Sequence, residues 1–218
     1  IFITYGEHEL SENIIQLVLA RTPDSPPGTK GISLFIVPKY IVNEDGTLGE
    51  RNDYKCLSVE HKLGLHASPT CVLSYGDAGE GAVGYLLGEE HQGMRYMFKM
   101  MNNARLGVGV EGLAVSERSI QLASDYAQER RQGRAVGSPA GEQSLIIDHA
   151  DVRRMLLTMR AYTDAMRGVL YLNAACLDIA RNHSDEDIAQ AASDRAELLT
   201  PISKGWCTCL LYTSPSPR

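Results

Sequence analysis

The chain has 218 residues, room for one large domain or two small ones, and its 44% hydrophobic and 22% charged side chains suit a globular protein with a buried core. No apolar run approaches the ~18 residues of a membrane span, and five cysteines at scattered spacing argue for a reducing compartment and against a disulfide framework. The net charge of −6 is uneven: residues 1–91 carry 6 basic and 13 acidic side chains, net −7, while residues 92–218 carry 15 and 14, net +1. Neither half is the strongly basic domain that a nucleic-acid surface requires.

The chain opens on Ile1 and enters strand-like text directly, with no charged-then-apolar leader. The front of the protein is expected to be missing. Six segments rich in β-branched and aromatic residues follow: 1–5 (IFITY), 14–20 (IIQLVLA), 31–37 (GISLFIV), 54–60 (YKCLSVE), 70–75 (TCVLSY) and 83–87 (VGYLL). Between them lie TPDSPPGTKG and NEDGTLGERND, whose Pro, Gly, Asn and Asp stop both helix and ladder. No helical period intervenes, so the sheet is expected to be antiparallel or mixed, in a compact barrel or sandwich. His61 and His66 read as ordinary histidines. No CxxC, HExxH or dense His/Cys cluster offers a metal site.

From about Gln92 the period becomes helical. Met94, Met97, Phe98 and Met101 fall at i, i+3, i+4 and i+7, and the stripe resumes with Leu113, Ile120 and Ala127. RRQGRAVGSPAGEQS breaks it. A second helix keeps Val152, Met155, Leu156, Met159, Thr163, Met166, Leu170, Ala174 and Leu177 on one face. A third is expected to start at Ser184, with Asp187 completing a capping box, and to run to Pro201. Strands first and helices afterwards predict an α+β chain: a mainly antiparallel, β-barrel-like domain over 1–91, then an antiparallel helical bundle over 92–207. Residues 208–218, ending in the aperiodic CLLYTSPSPR, are expected to be a disordered tail or non-native sequence.

Gly107, Gly109 and Gly112 spell GxGxxG, the fingerprint of a dinucleotide-binding loop. That loop needs a strand before its first glycine and an acidic residue closing a second strand. Here MRYMFKMMNNAR precedes it, and Glu129 sits in helical text. The glycines are therefore expected to line a helix where another backbone approaches closely. The arginine clusters Arg130, Arg131, Arg134 and Arg153, Arg154, on a near-neutral half, suit a phosphate-bearing small molecule better than a duplex, although solvated helix faces explain most of them.

The segments IFITYG, KLGLHASPTCVLSYG, LLGEEHQGMRYMFKMMNNAR, ASDYAQERRQGR and IIDHADVRRML, in this order across a β-to-α switch, resemble the acyl-CoA dehydrogenase family of flavoproteins. The resemblance covers roughly residues 1–207. The loop around 39–55, the QGR and LLTPISKGW look most like the subgroup of methylmercaptopropionyl-CoA dehydrogenases and alkylation-response flavoproteins. It implies a bound FAD, its ring packing on Phe2 where many relatives have Trp, with the Thr4 hydroxyl near the flavin N5 and O4 and with Ser68 and Thr70 at the rim. It implies that Arg105, with Met101 and Asn102, faces an acyl-CoA cleft. Arg130 would reach the FAD pyrophosphate of a neighbouring subunit, as a guanidinium fork suits phosphate.

The implied reaction is α,β-dehydrogenation of an acyl-CoA thioester. An electron-transferring flavoprotein is the implied acceptor, and a bacterial, cytoplasmic homodimer or homotetramer the implied setting. The family's base glutamate comes late in the C-terminal domain and has no counterpart here; nothing supports Glu111 in that role. The chain is thus expected to be a piece of an enzyme without the N-terminal helical domain, part of the flavin cradle and the base, and inactive alone. An acyl-CoA oxidase, or an alkylation-response-type protein that binds DNA, are the alternatives; the negative charge weighs against the second.

Overall fold

Among the described residues, the β-rich first part of the chain folds into eight short strands: β1 (Phe2–Thr4), β2 (Ile15–Arg21), β3 (Ile32–Pro38), β4 (Tyr40–Val42), β5 (Leu48–Arg51), β6 (Tyr54–Val59), β7 (Thr70–Tyr75) and β8 (Tyr85–Leu86). Three α-helices follow among the described residues: α1 (Gly93–Glu129), α2 (Ala150–Asn182) and α3 (Glu186–Thr213). The computed structural model describes residues 1–79 and 81–213. The chain forms two compact units, one over Ile1–Lys99 and one from Met100 onward.

All strand pairings are antiparallel, in three sheets ordered β1-β7-β6, β2-β3-β8 and β4-β5. The six expected strands are present. The barrel is not: among the described residues β1, β6, β2 and β8 remain edges, whereas closure pairs every strand on both sides. β1 has three residues and β8 two, too short a ladder to close a wall. The sheets stay open and are tied together by buried amides. The Tyr75 hydroxyl donates to Gln16 Oε1, and Gln16 Nε2 donates to the Gly6 carbonyl at 3.1 Å, joining β7 to β2. Asn52, 5% exposed, donates to the Pro38 and Val83 carbonyls at 2.9 and 2.8 Å and accepts from the Val83 N–H at 2.8 Å. Such saturation is what lets a polar side chain be buried at no net loss.

The helical unit has a core of Leu113, Met166, Leu170 and Cys207, flanked by Leu106, Trp206 and Leu210. In α2 the buried face runs Met159, Thr163, Met166, Leu170, Asn173, Cys176. Of the expected stripe, Met159, Thr163, Met166 and Leu170 are buried, and Val152, Met155, Leu156, Ala174 and Leu177 are half-buried. Beyond Leu170 the buried positions are Asn173 and Cys176, and the polar Asn173 is buried by partners rather than by hydrophobicity. Its amide donates to the hydroxyls of Thr200 and Ser203, both at 3.3 Å.

Two expectations for α3 are corrected. Asp185, not Ser184, caps it: its carboxylate accepts from the N–H groups of Asp187 and Ile188 at 3.0 and 3.1 Å. The helix also passes through Pro201 and continues to Thr213. Proline usually stops a helix by removing a donor and crowding the previous turn. Here the neighbouring Thr200 and Ser203 are locked into the core, at 2% and 0% exposure, and packing outweighs propensity. Residues 214–218 of the expected tail lie outside the described residues.

The glycine fingerprint lies wholly inside α1. A Cβ on Gly112 would fall 2.9 Å from the Cys207 carbonyl oxygen, and one on Gly109 would fall 2.9 Å from Leu170 Cδ2. These two glycines admit close neighbours, as expected. Gly107 does not, since nothing lies within 4 Å of its Cβ position.

Candidate cofactor-binding site

β1 pairs with β7 so that Phe2 faces Val72, Ile3 faces Cys71 and Thr4 faces Thr70. Side chains alternate across a strand and directly paired residues share a face. One face of the sheet therefore carries Phe2, Thr4, Thr70 and Val72, and the other carries Cys71 and Leu73. The second face is packed: Cys71 and Leu73 are 0% and 2% exposed and join Tyr54 in a core cluster. The first face is open, with Phe2 67% exposed. Its register is pinned beyond the strand ends by the Tyr5 N–H on the Pro69 carbonyl and the Leu73 N–H on the Ile1 carbonyl, both at 2.8 Å.

Ser68 lies in the turn before β7, half-buried, with its N–H on the Leu65 carbonyl at 3.1 Å and its own carbonyl accepting from Lys62 Nζ. Four of the sequence-derived residues thus gather at one sheet: Phe2, Thr4 and Thr70 on one face, Ser68 beside it. Val72, opposite Phe2, was missed; alternation along TCVLSY, matched against FIT, carries the signal. The chemistry offered is a planar apolar ring flanked by two hydroxyls, a surface for a flat heteroaromatic with polar edges.

Beneath this sheet, burial pushes the Tyr75 hydroxyl up to about 12 and moves Tyr54 further in the same direction. Both remain neutral at physiological pH, Tyr75 as a donor to Gln16. They act as scaffold, since they belong to the core side of the sheet.

In the helical unit, Met101, Asn102 and Arg105 share one turn of α1, and an Arg105 Nη1 lies 3.4 Å from Asn102 Oδ1. All three are half-buried. Arg130 follows the last turn of α1. Its N–H donates to the Tyr126 carbonyl at 2.9 Å and its carbonyl accepts from Ile146 N–H at 2.8 Å. The connection after it is equally fixed: Arg131 bridges Leu145, and Ser144 Oγ, 7% exposed, accepts from Ala135 N–H at 3.0 Å. Arg130 is thus exposed on a backbone pinned on both sides. Among the described residues there is no group of three His, Cys, Asp or Glu able to hold a metal, and no helix long and apolar enough to cross a membrane.

Residues 91–195 match the family "Acyl-CoA dehydrogenase, C-terminal domain". Over 208 residues the chain is 51% identical to 3-methylmercaptopropionyl-CoA dehydrogenase of Ruegeria pomeroyi, covering 95% of this chain and 34% of that one. Its fold is similar to Caenorhabditis elegans ACDH-11, solved in complex with C11-CoA, with a TM-score of 0.69 and 25% identity over 88% of this chain and 30% of that one. It is similar in fold to a Bacillus anthracis acyl-CoA dehydrogenase complexed with FAD, with a TM-score of 0.66 and 20% identity over 90% and 30% of the two chains. The chain spans about a third of the length of the curated relatives it matches.

Proposed function

Because the chain belongs to the acyl-CoA dehydrogenase family, we propose that it is part of an FAD-dependent enzyme that removes the α- and β-hydrogens of an acyl-CoA thioester. The observation that carries this reading is the open β1–β7 face. A phenylalanine ring 67% exposed beside two threonine hydroxyls, above a packed core, leaves apolar area uncovered where a flat ring system fits. Phe2 would pack against the isoalloxazine, the Thr4 hydroxyl would lie at its polar edge, and Ser68 and Thr70 would border it. The flavin supplies the acceptor for the β-hydrogen. Hydroxyl donors aimed at that edge favour the charge the ring gains on reduction.

Met101, Asn102 and Arg105 bind the acyl-CoA, the guanidinium meeting a polar or anionic part of the thioester. Arg130 holds an FAD pyrophosphate from a second subunit, which makes the holoenzyme a homodimer or homotetramer. An electron-transferring flavoprotein takes up the electrons. Five cysteines without a disulfide suit a reducing cytoplasm. The domains read from the sequence, a β domain over 1–91 and a helical domain from 92, divide these roles between flavin ring and pyrophosphate.

The test uses the full-length protein. It is expected to purify yellow and to bleach anaerobically on addition of an acyl-CoA, with slow reoxidation in air. Fast reoxidation by oxygen identifies an oxidase. No bleaching with any thioester, together with salt-sensitive DNA retention, overturns the enzyme reading. Arg130→Ala is expected to weaken FAD retention about tenfold or more, the scale of one charge-assisted hydrogen bond, at unchanged Tm of the apoprotein. Equal FAD content in the variant refutes its role.

A further inference from the structure

The core side of the same sheet carries a thiol pair. Cys56 on β6 stands opposite Leu73, and Cys71 is two residues away from Leu73 on β7, so both cysteines lie on one face. Cys71 is fully buried, and Cys56 is half-buried and packs against the Tyr54–Cys71–Leu73 cluster. In a regular antiparallel ladder such diagonal neighbours stand somewhat too far apart for a disulfide. This ladder is not regular: its register shifts between Cys56 and Ser58, where β6 holds one residue more than β7. A bulge bends its strand and increases the local twist. The Cys56 thiol folds back over it towards the Ser58 carbonyl, at 3.4 Å, the Cys71 thiol stands 4.0 Å from the Glu7 carbonyl, and the two sulfurs are close enough for Cys71 to raise the Cys56 pKa.

We propose that Cys56 and Cys71 form an oxidisable pair that closes to an intrachain disulfide when the protein meets hydrogen peroxide. Cys56, the accessible member, attacks one peroxide oxygen as its thiolate. The O–O bond breaks, and Cys56 becomes a sulfenic acid while hydroxide leaves and takes up the thiol proton as water. The Cys71 sulfur then displaces the sulfenic oxygen, which departs as a second water with the Cys71 proton. Two thiols lose two electrons and one peroxide becomes two waters. Burial and the neighbouring Cys71 raise the Cys56 pKa, so the pair is a slow responder and not a peroxidase centre. Closure joins β6 to β7 directly behind Thr70 and Val72, the strand that carries half of the open face.

The native protein is treated with hydrogen peroxide, unfolded, alkylated and digested for mass spectrometry. The expected result is one linked pair of peptides containing Cys56 and Cys71, two hydrogens lighter than their sum and separated by dithiothreitol, with Cys176 and Cys207 still alkylated. Cys56→Ser is expected to leave Cys71 reduced. Cys56 recovered as sulfinic acid beside an unmodified Cys71, both thiols untouched while Cys209 is oxidised, or Cys56 linked to any other cysteine would each overturn the proposal. If Cys56→Ser does not fold, the map from the unsubstituted protein decides alone.

Discussion

Glycines in the middle of a helix cost up to ~1 kcal/mol each against alanine, and α1 contains three within six positions. Their surroundings separate them. Gly112→Ala would set a Cβ 2.9 Å from the Cys207 carbonyl oxygen, a backbone atom of a residue that is itself 0% exposed and cannot give way. The overpacking cost of ~1–3 kcal/mol exceeds the propensity gain, so this variant is expected to lower Tm by about 2–4 °C per kcal/mol lost, for a domain of this size. Gly107→Ala meets nothing within 4 Å and is expected to raise Tm instead. Scanning calorimetry on the two single variants checks the opposite signs. Equal shifts would mean that α1 and α3 are not in close approach at Gly112. The same contrast shows what the sequence could carry: the failure of the nucleotide fingerprint was legible from its helical context, whereas which glycine faced a backbone was not.

Asp185 is the sharpest example among the elements. Its carboxylate satisfies two N–H groups at the start of α3, so Asp185→Ala is expected to cost ~1 kcal/mol, while Ser184→Ala is expected to be near neutral. Urea midpoints of the two variants distinguish the caps, and the reverse order would restore the Ser184 reading. Spacing alone favoured Ser184 because Ser-x-x-Asp fits a capping box; the choice between adjacent cap-competent residues depends on where the chain turns. The β elements divide similarly. β7 was legible to the residue, since Thr70–Tyr75 is alternating and bounded by turn text. The β4–β5 hairpin was not: its strands have three and four residues around NEDGT, and turn chemistry dominated the reading. That turn is well built, with Gly46 at φ 83° and Asp45 accepting from both the N–H and the hydroxyl of Thr47, which holds its carboxyl below the usual range. Of the site, Phe2, Thr4, Ser68 and Thr70 came from family resemblance, and pairing supplied what resemblance could not, namely that Thr70 shares a face with Phe2 and Thr4 and that Val72 completes it.

At the scale of the molecule, both units contain weak acids that burial keeps neutral. In the β unit these are Tyr54, Tyr75 and Cys56, and in the helical unit Cys207. Each has a folded-state pKa above its ordinary value, 10.0 for tyrosine and 9.0 for cysteine, so the unfolded chain releases these protons first as pH rises. The sign follows from linkage: the stabilising contribution is whole below the ordinary value and is lost progressively above it. Urea unfolding midpoints are therefore expected to stay level with respect to these groups through neutral pH and to fall from about pH 9 upward, with the slope m unchanged. Two reporters locate the loss. Trp206, the single tryptophan, packs against the helical core, and the late tyrosinate absorbance of Tyr54 and Tyr75 follows the β unit. Tyr54 and Tyr75 are expected to ionise only as the β unit unfolds, producing a late step after the exposed tyrosines have titrated. Tyr75→Phe deletes one of these protons but also leaves Gln16 Oε1 without its donor, so it should lower stability at neutral pH while flattening the alkaline decline. A variant that merely shifts the whole curve downward, with the same alkaline slope, would show that Tyr75 is not one of the groups responsible.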